Sequence, residues 1–359
     1  MITIRGITYD ISTFNHPGGN VICQFIGKDA TDMFIALHPP RSNAMKLLCT
    51  LPVLSVSKPI ETAYIKLYDQ VTRLVHTNYD ARMQQWMIKD ATIFAFLTIA
   101  WVRLLPYFWT SCVIYAIAMV HASWFMHNTI HKQFGNYNKH IIEFITGMSP
   151  DWWVKKHNVL HHAHTNVAEL DTDIMSDLFA FEHKSLTPIM RYQHYTFWVL
   201  LAFLRILWCI QSLRTTKMCL LHHAGVIMLH NTITLTTLKW MFVGNLISGF
   251  IIGFIVVQSH NAEIIIHKQG IDHLAHTAIT TRNLPFGFLH DMCSGYLNYQ
   301  IEHHLFPWLP AVFLPDIQHL VKDAIRSQGL PYTQMTWTES TIKLHNHLYD
   351  IANQHKTLL

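Results

Sequence analysis

The sequence predicts a small α+β unit over residues 1–58 and then an all-α polytopic membrane domain over residues 59–359. About four crossings in two hairpins, with a helical cap on the cytosolic side, complete the expected fold. Three observations predict it. Charged residues make up 13% of the 359-residue chain while 50% are apolar, and a soluble domain carries about a quarter charged. The apolar residues gather into uncharged runs long enough to span a bilayer. The N-terminal residues have no such run and carry turn signals instead. The same composition excludes other classes. With 20 Phe, 13 Tyr and 11 Trp the chain is not disordered over long stretches, and its six cysteines have no paired spacing for a disulfide scaffold. A net charge of +4, spread along the chain, gives no nucleic-acid footprint. Histidine stands out: 27 residues, against 26 Lys and Arg together, point to metal binding.

In the N-terminal unit, Ile2–Ile4 and Ile7–Ile11 read as short strands broken at Gly6, and a Pro-Gly-Gly turn follows His16. Asp29, Ala30 and Thr31 open a short amphipathic helix that ends near His38 and Pro39. His16 and His38 each stand beside a turn. So placed, two imidazoles can face each other across a flat cofactor, imidazole being a normal axial ligand of haem iron. The spacing alone is also compatible with a turn that carries an incidental histidine.

Residues 107–126 and 240–259 carry no fixed charge and each can cross a hydrocarbon core of about 30 Å as a helix. Residues 219–238 form a weaker candidate with three histidines, and residues 91–105 a short apolar arm that turns at Pro106. This gives hairpins at 91–126 and 219–259. Residues 195–212 contain Arg205 and Gln211 and read as a helix lying in the interface. Lys132, Lys139, Lys155, Lys156, Lys184 and Arg191 lie between the hairpins, and Lys268, Arg282 and Lys322 follow the second. The positive-inside rule therefore places both termini and the central loop in the cytosol.

Four histidine clusters fall on that cytosolic side. His127 and His131 are four apart and share a helical face. His157 and His161 repeat the spacing, and His162, about 100° further round an α-helix, can serve a second ion. His260 follows the second hairpin, and Gln300-Ile-Glu-His303-His304 comes later. Imidazole suits zinc, copper and iron alike. Zinc is redox-inert, so a haem carrier fused to such a site makes sense where the site consumes electrons, as iron with O₂ does. Eight imidazoles are too many for one ion and fit two. A site at the ends of membrane helices meets lipid chains, whose oxidation by O₂ needs two added electrons per turnover. A lone histidine on an apolar face is usually a packed core residue, so His121, His222, His223 and His230 stay unassigned, and His164, His194, His273, His276 and His290 read as surface or supporting ones.

Two resemblances sharpen this reading. HPGG, then GKDAT, then a histidine after an Ala-Leu pair resembles the cytochrome b5 haem domain over residues 1–55 and implies haem b held by His16 and His38. HNTIH at 127, WWVKKHNVLHHAHTN at 152 and QIEHHLFP at 300, supported by VQSH at 257 and LDTDI at 170, resemble the membrane fatty-acid desaturases, specifically front-end desaturases fused to cytochrome b5. That resemblance implies two non-haem irons held by His127, His131, His157, His161, His162, His260, His303 and His304, with Gln300 at or near the site in place of the third box's first histidine. It further implies O₂ as co-substrate and electrons from an NADH-cytochrome b5 reductase. The setting implied is a multi-pass endoplasmic reticulum membrane with the site facing the cytosol. A double bond would be inserted between an existing one and the carboxyl end of an acyl chain or sphingoid base. The sequence departs from the family pattern at Asn128, where aspartate is usual, and in the second box, where three residues rather than two separate the histidines.

Other readings make different predictions. A di-iron lipid hydroxylase would add an oxygen where a desaturase removes two hydrogens. A zinc-dependent polytopic amidohydrolase or receptor would hold zinc and ignore O₂. A haem carrier with an inactive histidine-rich part would hold haem without other iron.

Overall fold

A computed structural model of the chain describes residues 1–38, 42–75, 79–131, 138–175, 178–182, 187–230, 234–267 and 272–353. Pro39 and the loop lysines 132, 184 and 268 lie outside the described residues.

The N-terminal unit forms around two short strands, β1 (Ile2–Ile4) and β2 (Ile7–Tyr9), paired antiparallel with Ile2 opposite Tyr9 and Ile4 opposite Ile7. Arg5 and Gly6 turn the chain with φ +50° and +77°, the left-handed pair that matches strand twist in a two-residue hairpin. A Cβ on Gly6 would lie 2.4 Å from the Ser57 carbonyl, so no side chain fits there. The second strand stops at Tyr9, two residues short of the predicted Ile11. A helix α1 (Thr31–Leu37) follows the 3-10 turn Gly19–Phe25, and Asp29 Oδ1 accepts the Thr31 N–H at 2.9 Å. After α2 (Asn43–Leu48), an unpredicted β3 (Val53–Val56) joins β2, giving a sheet in the order β1-β2-β3. Ile2, Ile4, Tyr9 and Ala30 form its small core.

The remainder is helical. α3 (Ala63–Val75) leads to α4 (Tyr79–Arg103), which packs along α5 (Phe108–Ile130). α6 (Lys139–Thr146) and α7 (Pro150–Trp153) come next, α7 running straight into a π-helical turn, Val154–His161. α8 (Gln193–Leu200) and α9 (Leu204–Ser212) are followed by α10 (Leu220–Leu229) and α11 (Leu235–Val256). The C-terminal part holds α12 (His273–Thr280), α13 (Phe288–Ser294), α14 (Gln300–Leu305), α15 (Leu314–Ser327) and α16 (Trp337–Asn353).

Among the described residues three helical stretches are long and apolar enough to cross a membrane: Phe108–Ile130, Met190–Ser212 and Leu235–Val256. This differs from the expected four crossings in three places. The 91–105 arm belongs to α4, which is not among the three. Residues 219–238 do not form one helix: α10 ends after ten residues at Leu229, and α11 starts afresh behind Thr234, whose hydroxyl caps the Thr237 N–H. The stretch read as interfacial instead packs along α11. Arg205, the residue that suggested an interface, is fully buried and donates to Asn245 Oδ1 at 2.9 Å and the Thr146 carbonyl at 2.7 Å. Its charge is accommodated by protein dipoles rather than by water.

One large core ties the two units together. Ile35 and Ala36 of α1 pack in the same cluster as Tyr64, Leu67 and Val71 of α3, Ile301 and Leu305 of α14, and Ile317, Val321 and Ile325 of α15. The helix that ends at His38 is thereby anchored to the element that carries His303 and His304.

Candidate metal centre

The box histidines converge where α5 and α11 end. His127 lies in the last turn of α5 and His131 just beyond it, His260 follows α11, and α14 carries His303 and His304. None of the eight is more than 9% exposed. They fall into two groups, each with candidate ligand nitrogens within 4.8 Å of one another: His127, His131, His157, His162 and His303 in one, and His161, His260 and His304 in the other. The groups adjoin, with the His162 and His304 rings stacked at 4.3 Å. Asp173 lies equally close to His157 and His161.

The second box departs from the α-helical face expected of it. The π-helical turn closes with the His162 N–H donating to the His157 carbonyl, five residues back, at 2.9 Å. His157 and His162 therefore point the same way, their Nε2 atoms 3.1 Å apart, and His161 is turned toward His260 and His304.

Outer contacts orient the rings. His161 Nδ1 donates to Asp171 at 3.1 Å, His260 Nδ1 to the Thr280 carbonyl at 3.2 Å, His304 Nδ1 to Thr165 Oγ1 at 3.1 Å, and His127 Nδ1 to Asn128 Oδ1 at 3.3 Å. Each of these fixes the tautomer that leaves Nε2 as an acceptor, the arrangement that supports a metal-ligating imidazole. The Nε2 atoms of His131, His260, His303 and His304 are buried with no partner. His127 Nε2 meets only His157 Nε2, at 3.0 Å. Buried polar atoms are rarely left unpaired, and a pair of cations would satisfy this whole set.

Electrostatics separate the groups. Burial, aided by neighbouring imidazoles, pushes His157, His162, His303 and His304 well below the usual histidine range, so they stay neutral and able to ligate. Burial would do the same to His161, but the Asp171 and Asp173 carboxylates outweigh it and raise its pKa. Lys156 and His161 hold the partly exposed Asp173 carboxylate down to about 2. The three-histidine group thus sits beside negative charge, while the five-histidine group is neutral.

The scaffold behind α14 is polar and fully paired. Asn283 accepts the Ile301 N–H at 2.8 Å and donates to Glu302, which also accepts the Tyr332 hydroxyl at 2.7 Å. Tyr64 donates to the Leu305 carbonyl at 2.6 Å. On the other side, Ser340 of α16 donates to the Gln258 carbonyl at 2.8 Å, steadying the approach to His260.

In the N-terminal unit the His16 and His38 rings stand 6.2 Å apart between centroids. A metal bonded at about 2 Å to each imidazole, with about 1 Å from nitrogen to ring centre, spans about 6 Å, so the pair fits one iron between them. His38 Nδ1 donates to the Phe34 carbonyl at 2.9 Å, leaving its Nε2 to face inward. His16 Nδ1 accepts the Gly18 N–H at 3.1 Å, which places the proton of the neutral ring on Nε2.

Comparison with known sequences decides the family. The fatty acid desaturase family profile matches residues 100–336, more than half of the chain, and a cytochrome b5-like heme/steroid binding domain matches residues 1–64. The chain belongs to the fatty acid desaturase family. It is similar to an acyl-lipid (9-3)-desaturase of Physcomitrium patens, 27% identical over 99% of this chain and 77% of the relative. It is likewise similar to a delta-6 fatty-acid desaturase of Caenorhabditis elegans (27%, 88% and 87%) and a delta-8 fatty-acid desaturase of Euglena gracilis (27%, 95% and 92%). The chain is an oxidoreductase of this desaturase class, with a cytochrome b5-like domain at its N-terminus.

Against the family pattern, Asn128 occupies a supporting position, its Oδ1 touching the His127 ring at Nδ1. Gln300 opens α14, one turn before His303 and His304, and its Oε1 is buried without a partner. Reading the sequence did not assign Thr165, Asp171 or Thr280. Asp171 had a signal, since it lies in the LDTDI run. Thr165 had one too, near the end of the WWVKKHNVLHHAHTN run, whereas Thr280 stands in no motif and meets His260 from a separate segment.

Proposed function

We propose that this desaturase uses O₂ at a di-iron centre to insert a double bond into a lipid acyl chain, either a fatty acyl group or a sphingoid base, with front-end placement. His127, His131, His157, His162 and His303 would hold one iron and His161, His260 and His304 the other, with Gln300 beside them. His16 and His38 would hold haem b in a domain of residues 1–58 that feeds the catalytic domain, residues 59–359. An NADH-cytochrome b5 reductase or an equivalent donor would supply electrons to that haem, and the site would face the cytosol from the endoplasmic reticulum membrane.

The observation that carries this reading is the pair of adjoining buried groups whose unpaired Nε2 atoms face one another at the ends of apolar helices. Bound iron supplies the oxidising chemistry with O₂. The chain's own residues do the rest. Asp171, Thr165, Thr280 and Asn128 take the Nδ1 protons of His161, His304, His260 and His127 and so keep the Nε2 atoms aimed at the centre. Burial keeps water from the reacting chain. The end of α5 and the end of α11 set the depth at which an acyl chain meets the centre.

Expression in yeast with a panel of fed fatty acids, followed by locating double bonds in the products, tests the proposal. Products lacking two hydrogens support it. Products carrying an added oxygen show a hydroxylase instead, and zinc in the purified protein with no dependence on O₂ overturns the iron assignment.

A further inference from the structure

The two redox units share side-chain hydrogen bonds, one from the Thr62 hydroxyl to Asp32 on α1 and another at the second histidine box. Gln24, on the 3-10 turn that follows His16, places its side-chain Nε2 3.0 Å from His164 Nε2. The amide donates and the ring nitrogen accepts. His164 is 2% exposed, and Gln24 Oε1 is buried without a partner. Apart from the Thr62–Asp32 bond, what is described where α1 meets the catalytic domain is largely apolar, with Ile35 and Ala36 set into the core beside Tyr64 and Ile301. An apolar pair of the same shape would join the units equally well, so adhesion does not explain a buried amide–imidazole pair here.

What lies behind His164 does. Its N–H donates to the His161 carbonyl at 3.0 Å, and the next residue, Thr165, donates its hydroxyl to the same carbonyl at 3.0 Å. Thr165 Oγ1 in turn accepts His304 Nδ1–H at 3.1 Å. His276 clamps the segment by donating to the Thr165 carbonyl at 2.7 Å. From the haem-binding unit to a histidine of the three-membered group there are thus only a hydrogen bond, a short piece of backbone and a second hydrogen bond.

We propose that the Gln24–His164 contact is the junction through which electrons pass from the haem-binding unit to the metal centre, with Thr165 and His304 as its inner half. The proposal rests on the reading of both centres given above. In each turnover O₂ accepts four electrons. Two come, with two hydrogens, from adjacent carbons of the acyl chain. Two come one at a time across the junction from haem reduced by the external NADH-dependent reductase. With two protons from solvent, the products are one carbon–carbon double bond and two water molecules.

The test uses the full chain in vesicles of yeast microsomal lipid. Haem is reduced anaerobically with NADH and purified reductase, oxygenated buffer is mixed in, and haem reoxidation is followed by its absorption. Gln24→Leu and His164→Leu are expected to slow reoxidation by about tenfold, the lower end of what is lost when an outer partner of a metal ligand is removed. Haem reduction and iron content should stay at wild-type levels. His164→Gln, which keeps an acceptor for the Gln24 amide, should recover most of the rate. Independently of loaded metal, hydrogen exchange at the Gly19–Phe25 amides should rise in apo His164→Leu. Because Gln24 is half-buried on a surface turn, its variant guards against a misfolded His164 variant. Unchanged reoxidation in both leucine variants overturns the junction. Wild-type reoxidation that is indifferent to chelating the non-haem metal overturns the electron-supply reading itself, and the junction with it.

Discussion

Replacing Asp171 separates the two metal sites. The residue is fully buried, and its carboxylate accepts His161 Nδ1–H at 3.1 and 3.2 Å, the Asn166 N–H at 2.8 Å and the Asp173 N–H at 2.9 Å. It touches none of the five histidines of the larger group. Removing an outer partner of a ligating histidine lowers metal affinity by about 10- to 100-fold, which is about 1.4–2.8 kcal/mol. The group it supports has only three imidazoles to lose from, whereas the other keeps five. Asp171→Ala should therefore release one ion of the two at a chelator concentration that the wild type withstands. The assay is iron content per chain after dialysis of the full-length protein, in detergent, against graded chelator. Asp171→Asn keeps an acceptor for the backbone amides and controls for collapse of the loop. It should lose the same ion with a smaller shift. If both variants hold two ions with wild-type resistance, Asp171 does not support a ligand. If both ions leave together, the two groups are not separate sites.

Three further outcomes follow from the same geometry. Stripping the metal should lower the thermal midpoint steeply, because four orphaned Nε2 atoms at about 1–3 kcal/mol each total about 4–12 kcal/mol, comparable with a whole domain's stability; an unchanged midpoint in metal-free protein would mean that the imidazoles are satisfied without metal. His16→Ala should abolish the haem absorption band and leave non-haem iron in place, and loss of both would show that the two centres are not independent. Asp32, pushed up to about 6 mainly by burial and partly by Asp272 and Asp29, accepts the Thr62 hydroxyl at 2.8 Å. Its folded-state pKa lies above the unfolded value, so the folded chain binds the proton more tightly and stability falls as pH rises from about 4 to about 6. Asp32→Asn should then be more stable than wild type by about 1 kcal/mol above that window, after discounting for partial exposure, and equal to it below; a denaturation midpoint difference that does not change with pH would exclude this account.

Local chemistry made the N-terminal unit legible. The Arg5–Gly6 turn and the Asp29–Thr31 helix start are decided within a few residues, and both appear where the sequence places them. β3 was not legible because its four residues are all exposed, giving no alternation, and its partner strand is some fifty residues upstream. Arg205 misled for a related reason. In the sequence it is a charge in an apolar run, which reads as a helix at the water interface. In the fold Asn245 and Thr146 accept its hydrogen bonds from distant segments, and the face of its helix that carries it packs along α11. Propensity and periodicity report neighbours along the chain, and neither strand pairing nor a buried charge's partners are neighbours of that kind.

The second box shows how a departure in spacing can preserve geometry. Read at α-helical pitch, His157 and His161 share a face and His162 is the outlier. With three residues rather than the family pattern's two between its first two histidines, an α-helix would place the last histidine, five positions on, about 140° round from the first. The π-helical turn takes up that residue: its five-residue hydrogen bond from His162 to His157 closes the wider loop and brings those two rings onto one face. His161, one position short of the closure, is then directed to the opposite group, where Asp171 waits for its Nδ1. The added residue and the π turn are therefore one feature. It divides three consecutive box histidines two to one between the groups, and the larger, neutral set and the smaller, carboxylate-supported set both follow from it.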